Sequence, residues 1–400
     1  MSVGSERAVD AAEVLARADE VATVLAAHAR SVDEAGAFPL TGLEALRRSG
    51  LMGLLVPREY GGLDGSCSLL SRVAQVLAAN CLSTAMIWGM HCQQVAVLVD
   101  HAGARLKERA LPAVARGDVY IASITSERGK GGHLLTAFAP LTYEDGLAVM
   151  RREAPVVTGG AHADAYLTTM RAAPDAPPSA VKLVYTDRSQ VAVDERSPWS
   201  TPGMRGTESL GISLAGRVPE DQIVDAERGF EQVAVTTLIP VGHIAWASCW
   251  LGAATSVYRQ VIAMLRDPRQ RREYDLHSEL FVTRLAEIRM RLDVAGAYLN
   301  RVVAEYEDAR RSPRAVEAIY APSFQIHINT LKVHASDSLF EAVNDLMQLV
   351  GLRHGYSKTS PIPVERTFRD LRSASLMYSN DRLLIANGKL SLLDGDVTLP

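Results

Sequence analysis

The sequence predicts an α+β fold in three consecutive parts, and three observations carry that expectation. Apolar residues recur with helical period through the first third. Short β-rich runs split by Gly, Pro and Asp fill the middle, and long helical stretches occupy the remainder. The boundaries fall at 1–117 for an N-terminal helical unit, 118–228 for a central β unit and 229–400 for a C-terminal helical bundle. Four hundred residues exceed what one small core organises, so two or three packed units are expected.

Ala11 to Arg30 is rich in Ala, Leu and Val, with its charges on one side. Thr41-Gly42-Leu43-Glu44 reads as a capping box, in which hydroxyl and carboxylate each satisfy an orphan N–H, and the helix it opens stops near Gly50. Pro57 to Gly62 is a turn, and helical patterns follow over Leu69–Ala79, Thr84–Val99 and Ala104–Ala115. Strands are expected over 119–124, 147–150, 165–170, 180–185 and 190–193, with a Pro-rich loop at 173–178. The last part reads as helices over Val233–Leu265, Ser278–Ala309, Ala315–Leu349 and Thr367–Leu390, with Arg310–Pro313 breaking the second from the third.

Hydrophobic content of 48%, charge of 22% and a net charge of −4 describe an ordinary globular protein and give no reason to expect nucleic acid or an anionic membrane as partner. Val233 to Tyr258 has no charged residue, but Pro240, Gly242, His243 and Ser248 within it favour a buried core helix over a membrane span. Glu6, Arg7 and Asp10 exclude an apolar signal sequence at the N-terminus, so a cytoplasmic location is expected. Cys67, Cys81, Cys92 and Cys249 show no metal-ligand spacing and are expected as reduced thiols. His327 and His334 share a helical face without a carboxylate pattern, so no metal site is expected. Trp246 and Trp250, four apart, read as packing residues, as His91 does between Trp88 and Cys92 in the plainer of its two readings.

Near the C-terminus, Gln348-Leu349-Val350-Gly351 precedes Pro363-Val364-Glu365-Arg366-Thr367-Phe368-Arg369-Asp370, with Met377-Tyr378-Ser379-Asn380 beyond. The run resembles the signature of the acyl-CoA dehydrogenase family. Four further segments resemble family motifs in order: 56–62, 124–132, 157–164 and 203–209. The resemblance covers Phe38 to Leu390 and implies a helical N-terminal domain, a central β-barrel and a C-terminal four-helix bundle assembled as a homotetramer. It also implies a flavin, with Thr125, Ser126, Thr158 and Gly160 along the ring and Gln348, Gly351 and Arg272 toward a dinucleotide. His91 is implied to border the substrate pocket.

The departures from that family direct the functional expectation. The family's catalytic glutamate corresponds to Tyr378 or, with a slip of one residue, to Ser379. An unperturbed tyrosine is only about a thousandth ionised at neutral pH, which makes it a poor base. The alternative carboxylate position corresponds to Gly242, and the arginine after it to His243. Val156 replaces the aromatic that stacks on flavin, and Glu279 the glutamine near the pyrophosphate, so weakly held oxidised flavin is expected. Such relatives include two-component flavin-dependent monooxygenases. These take reduced FMN or FAD from a separate flavin reductase and use O2, through a C4a-hydroperoxyflavin, to oxygenate a small molecule. N-oxygenation of an amine or amino sugar in secondary metabolism is the expected reaction, with Tyr378, His91 and Ser379 as candidate catalytic residues. The alternatives are an acyl-CoA or acyl-carrier dehydrogenase with a displaced base, and a flavin-binding relative without turnover.

Overall fold

A computed structural model of the chain describes residues 10–129 and 132–397. Glu6 and Arg7, and Lys130 and Gly131 of the glycine-rich loop, lie outside them. The N-terminal unit comprises α1 (Ala11–Ala35), α2 (Leu40–Arg48), α3 (Cys67–Ala78), α4 (Leu82–His101) and α5 (Ala104–Ala115). Asp10 caps α1 through a 2.9 Å bond from the Ala12 N–H, and Ser66 caps α3 at 3.1 Å from the Leu69 N–H. The expected capping box at Thr41 does not form. Pro39 leads directly into α2 at Leu40, so Thr41 already lies inside the helix.

The central unit holds β1 (Ile121–Ile124), β2 (Thr142–Glu144), β3 (Leu147–Ala154), β4 (Ala165–Arg171), β5 (Val181–Asp187), β6 (Val191–Ser197), β7 (Gly211–Pro219) and β8 (Ile223–Val224). The expected barrel takes the form of two four-stranded sheets, ordered β1-β4-β5-β8 and β2-β3-β7-β6, whose side chains share one core. β2, β7 and β8 were not among the expected strands. β2 is exposed throughout and carries no alternation, and β7 is interrupted by Gly216, where a Cβ would meet the Gln190 carbonyl at 2.3 Å. Along β3 the inward positions are Ala148, Met150, Arg152 and Ala154. Buried Arg152 pairs with Glu127 at 2.5 Å and donates to the Ser126 carbonyl at 2.9 Å.

The C-terminal unit begins with α6 (Phe230–Val233), which runs through a π turn over Ala234–Leu238 into α7 (Ile239–Arg266). It continues with α8 (Glu279–Arg311), α9 (Ala315–Tyr320), α10 (Pro322–Gly351), α11 (Val364–Leu371) and α12 (Asn380–Leu390). Pro322 splits the expected 315–349 helix, because the residue before a proline disfavours helical ψ and Ala321 sits at ψ 134. The expected 367–390 helix is broken by turns over 372–379, where Tyr378 adopts φ +49. Leu82–His101 and Phe230–Arg266 are long and apolar enough to cross a membrane, yet 89% and 83% of their most apolar stretches are buried inside the protein, where α4 packs on α7.

All three units meet at Arg369 and Asp370 on α11. The Arg369 guanidinium binds Asp33 of α1 through two bonds of 2.6 and 3.0 Å, Glu365 of its own helix, and the Pro202 carbonyl at 2.7 Å. Buried Asp370 accepts the Met204 N–H at 2.6 Å. The backbone approaches so closely that a Cβ on Gly203 would lie 1.9 Å from the Arg369 carbonyl oxygen.

That contact makes a direct prediction. Gly203→Ala should lower stability by about 1–3 kcal/mol or more, because the obstruction is backbone. Gly103→Ala, with nothing within 4 Å and φ −65, should be neutral or slightly stabilising. Urea unfolding of the two variants checks the contrast.

Candidate active site

A cavity of about 280 Å³ lies where the three units meet. From α4 it receives Met86, Met90 and Gln93, one stripe at helical spacing. The β unit contributes Tyr120, Ser123, Thr125, Ser126, Val156, Thr158, Trp199, Met204, Thr207 and Ser209, with Leu134 from a loop. Leu238, Ile239, His243 and Trp246 close it from the start of α7, and Ser373, Met377 and Tyr378 from the turns before α12. Among the described residues, no Asp, Glu, Lys or Arg lines it.

The β wall is a set of committed hydroxyls. Ser126 Oγ donates to the Val156 carbonyl at 2.7 Å and faces the Val156 N–H at 3.4 Å. The loop beneath is fixed by Glu127, which accepts the Phe138 and Ala139 N–H groups at 2.9 and 2.7 Å. Thr207 Oγ1 donates to the Met204 carbonyl at 2.8 Å and stands 2.8 Å from Ser209 Oγ, which stands 3.1 Å from Thr158 Oγ1. With the Thr207 proton used, Ser209 donates to Thr207 and Thr158 donates to Ser209. Thr158 therefore keeps oxygen lone pairs as acceptors. Val156, 45% exposed, offers an apolar face beside this wall.

The helical wall is neutral. Gln93 Nε2 donates to the Leu238 carbonyl at 2.6 Å, satisfying a group that the π turn leaves out of regular helix bonding. The Gln93 amide fills the space beside Gly242, where a Cβ would lie 2.2 Å from Nε2, so no carboxylate fits there without displacing it. His243 is buried, and its Nδ1 donates to the Ile328 carbonyl at 3.2 Å. Burial, reinforced by the nearby Lys332 charge, pushes its pKa down to about 3. The neutral ring then leaves Nε2 as an acceptor. The Tyr378 ring lies 5.9 Å from the His243 ring, and burial raises its phenol pKa, so the hydroxyl stays protonated.

Of the residues singled out in the sequence, Tyr378, Thr125, Ser126 and Thr158 lie together on this cavity. His91 does not. Its Nε2 donates to the Met52 carbonyl at 3.0 Å, its Nδ1 accepts the Ile121 N–H at 3.1 Å, and burial lowers its pKa to about 4. It is a core histidine with both nitrogens occupied, as its fully buried neighbours Trp88 and Cys92 imply. Ser379 precedes α12 and does not line the cavity. Gly160 lies in the turn below the wall, where its carbonyl accepts the Tyr166 hydroxyl at 2.8 Å. Gln348, Gly351 and Arg272 are exposed and outside the cavity. The segment after Arg272 is held against the end of α10 by Tyr274, which donates to the Val350 carbonyl at 3.1 Å, and by Glu273 with Arg353. Trp246, read as packing, lines the cavity, whereas Trp250 is buried. The α4 stripe was missed although its spacing was legible.

Residues 12–118 match the model of the acyl-CoA dehydrogenase N-terminal domain and residues 227–378 that of the C-terminal domain. The chain is 24% identical over 366 residues to the probable acyl-CoA dehydrogenase FadE25 of Mycobacterium tuberculosis, covering 90% of this chain and 89% of the relative. FMN-bound TdsC from Paenibacillus sp. A11-2 superposes with a TM-score of 0.83 at 20% identity, over 97% of this chain and 98% of that one. KijD3 in complex with FMN and dTDP-3-amino-2,3,6-trideoxy-4-keto-3-methyl-D-glucose gives a TM-score of 0.83 at 22% identity, over 96% and 93%. At these identities the structures establish the fold.

The environment of His243 sets its titration. Its ring should show no protonation midpoint of its own between pH 5 and 7 in histidine-labelled protein, because the folded pKa lies near 3. Folding disfavours the charged form, so this residue withdraws stability as pH falls from its unfolded value near 6.5 toward 3. A midpoint near 6.5 for His243 in the folded protein would contradict the assignment.

Proposed function

The chain belongs to the acyl-CoA dehydrogenase superfamily, and from that premise we propose that it is a flavin-dependent monooxygenase. One observation carries the reading: among the described residues, no carboxylate lines the cavity. Dehydrogenation of an acyl-CoA requires a positioned base for the α-proton. The two places where a base is expected hold Tyr378, a protonated phenol, and Gly242, whose side is filled by Gln93.

The cavity suits a flavin ring. Val156 offers an apolar surface, and the hydroxyl chain ending at Thr158 presents an acceptor. Reduced flavin carries an N–H at N5 that the oxidised form lacks, so an acceptor-presenting wall favours the reduced state. When bound, reduced FMN or FAD from a separate reductase supplies the two electrons with which one atom of O2 enters the substrate and the other leaves as water. Met86, Met90, Met204, Met377, Trp199 and Trp246 keep water from the reacting atoms. Tyr378 holds a donatable proton at its phenol oxygen, and His243 Nε2 orients a donor on the substrate. A small amine or amino sugar, oxygenated at nitrogen, remains the favoured substrate, bound as the uncharged base because no carboxylate is present to receive an ammonium group. Gln348, Gly351 and Arg272 serve a dinucleotide across a homotetramer interface in this reading. The exposed Leu280, Val282, Met290 and Val294 of α8 support such assembly.

The curated relatives favour a second reading, acyl-CoA dehydrogenation with a displaced base. Coupling the protein to a flavin reductase and an amine panel, and separately to acyl-CoA with ferricenium, decides between them. Products gaining one oxygen atom support the first, and ferricenium reduction the second. Under the monooxygenase reading, Tyr378→Phe retains substrate oxidation within about tenfold of the wild type and diverts reduced flavin to hydrogen peroxide. Removal of a true base would cost roughly a hundred- to ten-thousand-fold in rate. Acyl-CoA oxidation by the wild type that disappears in Tyr378→Phe would overturn the proposal.

A further inference from the structure

Lys332 of α10 is fully buried in the C-terminal unit, at 0% exposure. Its ammonium donates to Asn380 Oδ1 at 2.7 Å and lies 5.9 Å from the Trp250 ring centroid. Asn380 passes the interaction on: its Nδ2 donates to Asp337 Oδ1 at 2.8 Å and to Ser336 Oγ at 2.9 Å. The lysine thus reaches its nearest carboxylate through an amide. A buried charge without direct pairing is costly and calls for a compensating role.

Its placement supplies one. Asn380 lies two residues beyond Tyr378, whose φ of +49 is unfavourable for a side-chain-bearing residue and must be held from outside. One turn before Lys332 on the same helix, the Ile328 carbonyl accepts the His243 Nδ1 proton. A single turn of α10 therefore binds His243 directly and binds Asn380 of the segment that presents Tyr378.

We propose that Lys332 is a positioning residue: through Asn380 it fixes the turn that presents Tyr378, and its positive charge adds to burial in keeping His243 in the neutral, acceptor form. This charge bears on His243 of α7, Asp337 of its own helix bears on it, and Arg382 of α12 bears on Tyr378. Burial lowers the pKa of Lys332 to about 8. The consequence for turnover rests on the proposed oxygenation, but the positioning does not.

The test uses the full chain with labelled histidine, comparing wild type with Lys332→Met, which loses both charge and hydrogen bond, and Lys332→Gln, which loses the charge but still donates to Asn380. Both variants should raise the His243 midpoint by NMR titration. In the reductase-coupled assay with FMN, Lys332→Met should release at least several-fold more hydrogen peroxide per reduced flavin, and Lys332→Gln less than Lys332→Met. Folded variants with unchanged His243 titration and unchanged peroxide yield overturn the proposal. Should neither variant fold, the wild type decides: His243 resonances must shift as pH rises through 8 and Lys332 loses its proton, and invariance overturns it. If the wild type oxygenates nothing, the proposed reaction fails while the His243 readout still judges Lys332.

Discussion

The geometry of the cavity depends on the two adjacent charges at Arg369 and Asp370. They tie α1, the 202–204 loop of the β unit and the C-terminal helices to one point. Arg369 and Asp33 expose only 14% and 15% of their side chains, so breaking the pair would strand a buried charge, at about 3–5 kcal/mol. The net stability of such a pair against an apolar replacement is small, so its main effect is registration of the units. Asp370, its pKa raised to about 6 by burial, is ionised at neutral pH and fixes the Met204 N–H. Met204 adopts φ +52 there and turns its side chain to the cavity. The Arg-Asp pair of the signature is thus explained by assembly of the site and touches no reacting atom.

Charge is abundant around the cavity and absent from its lining among the described residues. Arg152 with Glu127 lies behind the hydroxyl wall, Asp370 beneath the Met204 loop, and Lys332 behind His243 and Tyr378. Each fixes backbone or tunes a neighbour. The lining itself is hydroxyl, thioether, indole, amide and neutral imidazole. A site of this kind suits an uncharged ligand and excludes water, and among the described residues it presents no carboxylate to remove a carbon-bound proton. The family's scaffold is retained, and Tyr378 and Gly242 stand at the two places where the resemblance to the family leads one to expect a carboxylate.

The long helices and the three-part order were legible because each carries an unbroken period over many residues. Short elements were not. β2 is solvated on every side chain and β7 is interrupted by Gly216, so neither writes an alternating pattern. Thr41 has the composition of a capping box, but Pro39 starts the helix two residues earlier. Tyr378, Thr125, Ser126 and Thr158 could be found from motif order, since loops along a ring must keep small or hydroxyl residues. Of the two readings of His91 the plainer one holds: a polar residue on an apolar helix looks functional until both its nitrogens are seen to be used. Lys332 could not be found at all. A lone lysine in a helix reads as surface, and only tertiary packing puts it beside Asn380, 48 residues away.

Among its described residues, this cavity holds no carboxylate placed to remove a carbon-bound proton. The most direct measurement is protein-dependent exchange of the α-protons of a saturated acyl-CoA with deuterated water, followed by NMR at neutral pH with and without added flavin. The account predicts no exchange above the buffer rate. Deuterium incorporated at the α-carbon only when the protein is present, and lost in Tyr378→Phe, would contradict it.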